Sequence, residues 1–417
     1  MTTRDPGRFS PRIRAQIALI TVVTAATLAA TWQFSQAGGA YQDAVRQEIK
    51  RQAGVQEEVR QVYGVEGPQA FRVAVARAEA EALSPLRDDG RLAASQYTIA
   101  SESGFLLRDS TGLPESSFHS GLGYDLPGRL GDLQAASPGV HALDPDARLR
   151  SGDRWAAWAL GSVMVAVAAV AAALIAANVL RPVAWRRPPA PGGRRVLRTL
   201  ELIPQPATAP PGTRLTVGLN LLIVALLFLL PLGQVYAAGG EQRAQAEAAR
   251  RAVQVRTDIA VSGQLQAFRL LSRQEALAAA FRAEARQLAA IDAADPEVAG
   301  QEARLAAVER GLARTVQAMS AYMARTPARA DGVDKVVIAG LRTDPADQPA
   351  LTVDQNHQVD LAQRSGNRGL LLAVATAFAV VGEVLAASAL VAGRRWWVLW
   401  PVTATVVSLV LTGAAVR

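Results

Sequence analysis

Apolar stretches and long polar segments alternate along the chain. Ala15–Phe34, Trp155–Leu180, Leu215–Val235, Gly369–Ala392 and Trp396–Ala415 are each dominated by Ala, Val, Leu and Ile. Each approaches or exceeds the ~20 residues a helix needs to cross roughly 30 Å of hydrocarbon. None shows the period-two alternation of a barrel strand, and a backbone in lipid must satisfy its own hydrogen bonds, so the pattern predicts transmembrane helices.

The polar segments 35–154 and 236–368 also carry helical periodicity. Tyr41, Val45, Ile49, Val55, Val59 and Val62 form a stripe ended by Gly64 and Gly67-Pro68, and a further helix is expected from Pro68 to Leu83. In the later segment Leu270, Leu277, Phe281, Leu288 and Ile291 recur at helical spacing. Asp295-Pro296 then offers an N-cap and a first helical position, followed by a stripe at Leu305, Val308, Leu312, Met319 and Met323. Two amphipathic helices hide such stripes by packing against one another, which predicts a bundle of three or four helices in each segment. The stretch from Pro85 to Arg150 is rich in turn residues, and its pattern does not assign its elements.

Arginine beside the apolar runs fixes an expected orientation. Arg4, Arg8, Arg12 and Arg14 precede the first run, seven arginines lie between Arg181 and Arg214, and Arg394 and Arg395 join the last two. Basic residues flanking spans are retained in the cytoplasm, which puts residues 1–14 and 181–214 inside and both long segments and the C-terminus outside. Trp32, Trp155 and Trp158 then fall at the outer interface, and Trp185, Trp396, Trp397 and Trp400 at or near the inner one. An alternative for the first run is a cleavable signal peptide, because small residues Ala37 to Ala40 follow it. The internal run Leu215–Val235 has the same Ala-Gly-Gly sequel, which favours an anchor. Eight prolines in 181–214 predict an extended cytoplasmic connector.

Three landmarks recur in order. Ala37-Gly38-Gly39 matches Ala238-Gly239-Gly240, Gln69-Ala70-Phe71-Arg72 matches Gln266-Ala267-Phe268-Arg269, and Arg150-Ser151-Gly152-Asp153-Arg154 matches Arg364-Ser365-Gly366-Asn367-Arg368. Their common order argues for an internal duplication in parallel orientation. The expected fold is therefore an all-α membrane protein with five transmembrane helices (15–34, 155–180, 215–235, 369–392, 396–415) and two mostly helical extracytoplasmic domains (35–154, 236–368).

Composition narrows the chemistry. With no cysteine the chain has no disulfide, thiolate metal site or thiol nucleophile. The net charge of +8 does not imply nucleic acid, because much of the arginine clusters beside the apolar runs. His119, His141 and His357 are scattered without the spacing of a helical metal site, and read as surface or packing residues. The cluster Glu115, Ser116, Ser117, His119, Ser120, Tyr124, Asp125 lacks a nucleophile elbow and reads as a surface loop. Neither Lys50 nor Lys335 sits in a phosphate-binding loop. The expectation is no catalytic residue, no cofactor and no metal.

Glu383 is the one clear carboxylate inside a predicted span. It lies about 16 Å from Arg394 along the helix, too deep to reach the inner surface easily. Its ionised form costs on the order of 3 kcal/mol there, so it is expected to point into the bundle as a packing or coupling residue, with Thr21, Thr24, Asn220 or Thr405 as partners.

This layout of spans and outer helical segments resembles uncharacterised actinobacterial multi-pass membrane proteins. The resemblance is architectural and implies no residue-level activity. Together these readings point to a non-enzymatic integral protein of the plasma membrane whose outer domains sense a stimulus or bind a partner. Its expected partners are membrane lipids and an envelope protein, with a homo-oligomer compatible. The alternative is a component of a membrane transport system.

Overall fold

A computed structural model describes residues 11–179, 213–343, 348–392 and 399–416. The expected connector, up to residue 212, and Arg394 and Arg395 lie outside the described residues. Apart from one two-stranded antiparallel ribbon, β1 (Phe118–His119) with β2 (Gly123–Tyr124), the regular structure among the described residues is helical.

The first half runs α1 (Pro11–Val59), a π-helical stretch (Arg60–Glu66), α2 (Gly67–Leu83), α3 (Arg91–Thr111), the ribbon, α4 (Leu126–Ala136), α5 (Pro138–His141) and α6 (Pro145–Val179). The second half runs α7 (Thr213–Asp292), α8 (Pro296–Met323), α9 (Lys335–Arg342), α10 (Gln348–Ala392) and α11 (Leu399–Val416). Within these, α1, α6 and α10 are long and apolar enough to cross a membrane, and Leu399–Ala415 is a shorter apolar helix. The expected third span forms the start of α7, part of it on side chains outside the described set.

Neither Ala-Gly-Gly landmark ends a helix: α1 and α7 both run straight through. Glycine costs a helix about 1 kcal/mol per residue, but here the missing side chains let other groups approach. A Cβ on Gly239 would sit 3.3 Å from the Phe34 ring, and one on Gly38 3.0 Å from the Gln242 amide oxygen.

The chain divides into two compact units. The first comprises Met1–Ala44, Asp146–Ala248 and His357–Arg417 and holds the apolar helices. Its core gathers Leu226, Leu230 and Ala237 of α7, Leu372, Ala375 and Ala379 of α10, and Ala415 of α11. Polar side chains tie the same helices, as small and hydroxyl residues do between helices in lipid. The Gln234 amide donates to the Leu372 carbonyl (2.9 Å) and Thr376 Oγ1 (2.7 Å), and Ser408 donates to the Ala375 carbonyl (2.9 Å). On the other side Trp32 and Trp155 meet edge to face at 5.3 Å, and Ser162 donates to Gln33 (2.8 Å).

The second unit comprises Val45–Pro145 and Ala249–Asn356. The two outer segments, expected as separate bundles, thus contribute to one unit with one main core. That core includes Val59, Val62, Phe71 and Tyr124 from the first half and Leu265, Phe268, Leu312 and Met323 from the second. Neither segment's helices bury their apolar faces on their own partners alone, so the halves share an interior.

Two local expectations change. Gly64 and Gly67-Pro68 were expected to end the first outer helix, yet the chain stays helical by widening to a π-helix, in which Gly67 N–H donates to the Val62 carbonyl five residues back. Proline in an α-helix collides with the carbonyl four residues earlier, and a wider turn relieves it. The stripe Leu270, Leu277, Phe281, Leu288, Ile291 was expected to pack against the stripe of α8. Only the second is buried. The first is 58–72% exposed, because α7 presents its opposite face, Ser272, Ala279 and Ala283, inward. Small residues let the helices come close: Ser272 and Ser320 hydroxyls lie 2.7 Å apart. The expected cap of α8 is present, with Asp295 Oδ1 accepting from Glu297 N–H at 2.9 Å.

Candidate functional site

Glu383 is exposed on α10, next to the buried Gly382. The inward positions of α10 are Leu372, Ala375, Ala379 and Gly382, spaced three, four and three apart, and Glu383 lies about 100° round the helix on its exposed side. Gly382 is the residue at the contact: a Cβ there would meet Ala404 at 3.4 Å and Thr405 Oγ1 at 3.7 Å. The expected partners are engaged elsewhere, Thr21 with the Ile17 carbonyl, Thr24 with Ile20 and Thr405 with Pro401. The Asn220 side chain lies outside the described set. The small-residue stripe marks the packing face of α10, and Glu383 stands beside it.

The sequence landmarks meet in space within the first unit. Tyr41, just past the first Ala-Gly-Gly, packs on Gly152 of the first Arg-Ser-Gly, where an added Cβ would lie 2.5 Å from the ring. The Tyr41 hydroxyl donates to Asp153 Oδ1 (3.0 Å), and Arg243 approaches the same carboxylate (3.4 Å). Burial, reinforced by Asp153, pushes the Tyr41 phenol well above its ordinary range. In the second half Glu241, just past Ala-Gly-Gly, lies against Gly366 of the second Arg-Ser-Gly at 3.2 Å from an added Cβ. An open cleft of about 770 Å³ adjoins these groups, with Tyr41, Asp153 and Arg243 on its polar side and Phe34, Leu226 and Leu372 among its apolar lining.

The second unit carries a line of carboxylates on α1 and its π-helical continuation, each held by polar side chains from other elements. Glu48, 1% exposed, accepts from Arg250 (3.2 Å), Gln52 (2.8 Å) and Gln254 (3.0 Å). Glu58 accepts from Ser137 (2.6 Å) and lies 3.1 Å from His141 Nε2, while His141 Nδ1 is 3.7 Å from Asp334. Glu66 accepts from Arg129 (3.1 Å) and Tyr124 (3.2 Å). Asp258 on α7 is pushed up to about 6 from 3.8 by burial first and by Glu48 second.

Serine, glutamate and histidine meet here, but in an order that does not activate serine. The carboxylate sits between hydroxyl and imidazole, so the Ser137 proton is already given to Glu58 and no imidazole lies within reach as its base. The arrangement is a tie between α1, α4 and α5. His141, expected as a surface or packing residue, is among these ties, and the long separations of Glu48 from Arg250 and Glu58 from His141 give no local signal in the sequence. The Glu115–Asp125 cluster is dispersed into structural work: Glu115 pairs with Arg77 (3.1 Å) and Arg108 (3.2 Å), and Asp125 caps α4 at Gly128 and binds Arg325 (2.6 Å).

A second open groove, of about 1010 Å³, runs between α7 and α8 beside the exposed stripe, with Leu277 and Phe281 among its lining and several arginines. Comparison with protein-family models, with curated proteins and with solved structures finds no match to this chain.

Proposed function

We propose that the chain is a non-enzymatic integral membrane protein of the cell envelope, whose helical outer unit senses a stimulus by binding a partner. The observation that carries this reading is the exposed stripe of Leu270, Leu277, Phe281, Leu288 and Ile291 on the second unit. Large apolar residues repeated over three heptads do not stay in water without cost, and contiguous apolar patches mark interaction surfaces. Buried charged groups in the same unit hold helices together rather than facing a substrate-sized cavity.

In this reading the arginine-rich termini of the spans keep residues 1–14 and 181–214 in the cytoplasm, five helices cross the plasma membrane, and membrane lipids surround them. A parallel duplication accounts for the meeting of Tyr41 with Gly152 and of Glu241 with Gly366 at corresponding landmarks. The transport alternative draws on the 770 Å³ cleft in the apolar unit, whose lining does not include Glu383.

The test is capture in living cells with a photoreactive phenylalanine analogue at Phe281, compared with one at Phe105, exposed on α3. The expected result is a position-specific protein adduct at 281. Turnover of a substrate by the purified full chain, or adducts of lipid alone at 281, would reject the reading.

A further inference from the structure

The groove between α7 and α8 has a composition that selects its occupant. One wall carries Leu277 and Phe281, the middle of an exposed stripe that runs on the same helix from Leu270 to Ile291, about 32 Å. Its intervals of seven, four, seven and three are those of a coiled-coil seam, in which side chains of a facing helix seat between successive turns. Across the groove stand the polar residues of α8. Five arginines line the cavity, Arg269, Arg273, Arg310, Arg314 and Arg325, against a single carboxylate, Glu284.

These arginines are not equivalent. Arg269 is held by the Ala324 carbonyl and Thr326 (both 3.2 Å), and Arg325 by Asp125 and the face of Tyr322. Arg310 has a long 3.9 Å approach to Glu284. Arg273 and Arg314 are exposed and form no ion pair with a carboxylate among the described residues. The groove therefore offers, among the described residues, two cations without an ion pair beside an apolar seam of helical period.

We infer that this groove binds an acidic amphipathic helix of a partner protein, its apolar stripe on Leu277, Phe281 and Leu288 and its carboxylates on Arg273 and Arg314. The inference rests on the partner-binding reading above and adds the partner's chemistry. Charge complementarity decides against a second copy as occupant. A symmetric pairing of two such faces brings Arg273 and Arg314 against their own counterparts, with Glu284 already facing Arg310, and like charges across an interface are unfavourable.

The probe is a synthetic peptide of about 21 residues, matching the stripe, with leucine at seam positions and glutamate on the flanks. It is titrated against the full chain in phosphatidylcholine nanodiscs, beside a version with lysine for glutamate and one with serine for leucine. Only the acidic, leucine-bearing peptide is expected to saturate, with affinity falling as salt rises. Phe281→Ser and the double variant Arg273→Glu/Arg314→Glu, all at exposed positions, should each weaken it about tenfold or more, and the double variant should now prefer the lysine peptide. Thermal unfolding of each variant checks that the fold is retained.

Equal binding of acidic and basic peptides, or no response to the double variant, would overturn the inference. So would a dimer in mass photometry that Phe281→Ser converts to monomer, since the face would then be a copy-to-copy contact. Arginine-dependent binding to phosphatidylglycerol vesicles with no peptide binding would assign the basic wall to lipid and also overturn it. The partner-binding reading fails separately: a protein adduct at position 281 in cells, with no acidic-peptide binding, retains that reading and rejects only the proposed chemistry.

Discussion

Phe71 and Phe268, which occupy the same place in two copies of Gln-Ala-Phe-Arg, pack against each other edge to face with ring centroids 6.1 Å apart. Both rings are buried, and Tyr63 joins them at 6.4 Å from Phe268. Landmarks first seen as parallel marks on two halves are the place where the halves are joined.

Truncating either ring should therefore destabilise the whole second unit. Phe268→Ala and Phe71→Ala are each expected to cost about 3–5 kcal/mol. The double variant should cost less than the sum, because each single variant already removes the ring pair. Denaturant unfolding in detergent, followed by circular dichroism, measures all three; strict additivity would contradict the contact.

Arg250→Ala leaves Glu48 charged, buried and without its guanidinium, so a loss of about 3–5 kcal/mol is expected. Replacing both by leucine should recover most of that loss, since it removes the stranded charge together with its partner. The same unfolding measurement decides it. A double-leucine variant as unstable as Arg250→Ala would mean that Glu48 matters for more than its pairing.

Asp258 gives a pH signature. Its folded value, raised to about 6, means the folded state holds the proton more tightly than the unfolded chain. The associated stability is fully present below about pH 4 and is lost as pH rises through about 6. Asp258→Asn cannot ionise and should gain on the order of 1 kcal/mol at pH 7–8, a figure discounted for the partial exposure of the group. Below pH 4 the gain should vanish. Midpoints of thermal unfolding at several pH values test the sign, and a gain that grew on acidification would refute the assignment.

Two glycines of α6 make a local comparison. An added methyl at Gly152 would lie 2.5 Å from the Tyr41 ring, whereas Gly161 has nothing within 4 Å. Gly152→Ala should destabilise by about 1–3 kcal/mol through overpacking, while Gly161→Ala should be neutral or stabilising by up to about 1 kcal/mol. Equal effects at the two positions would rule out the close approach.

The absence of cysteine allows a direct test of the proposed orientation. Phe105→Cys should react with a membrane-impermeant maleimide in intact cells, and Pro189→Cys should react only after lysis. Labelling of position 189 from outside would invert the topology.

What the chain declares about itself is mostly local. The cap at Asp295, the helix from Pro68 to Leu83 and the buried stripe of α8 are set by neighbouring residues and follow from capping chemistry and periodicity. Periodicity also identifies Leu270 to Ile291 as one helix face, but it cannot say what that face meets, because small residues on the opposite side compete for the interior. The buried carboxylates needed partners hundreds of residues away or in turn-rich stretches: Glu48 meets Arg250, and Glu58 meets His141. For Glu383, hydrophobicity marks depth in a membrane and says little about direction round a helix.

The π-helical stretch between α1 and α2 has a mechanical side. Compared with an α-helix of the same length, it stores one surplus residue at Arg60–Glu66, and it does so immediately before the glycine whose added Cβ would touch Phe268 at 3.2 Å. Passing that surplus along the helix by a single position would swing the residue it passes by about 100° round the axis and leave the helix before and after it in register, with no hydrogen-bonded turn lost overall. Slack of this kind re-aims one side chain at a time, so the stretch has the build of a ratchet whose teeth move while the bar stays still.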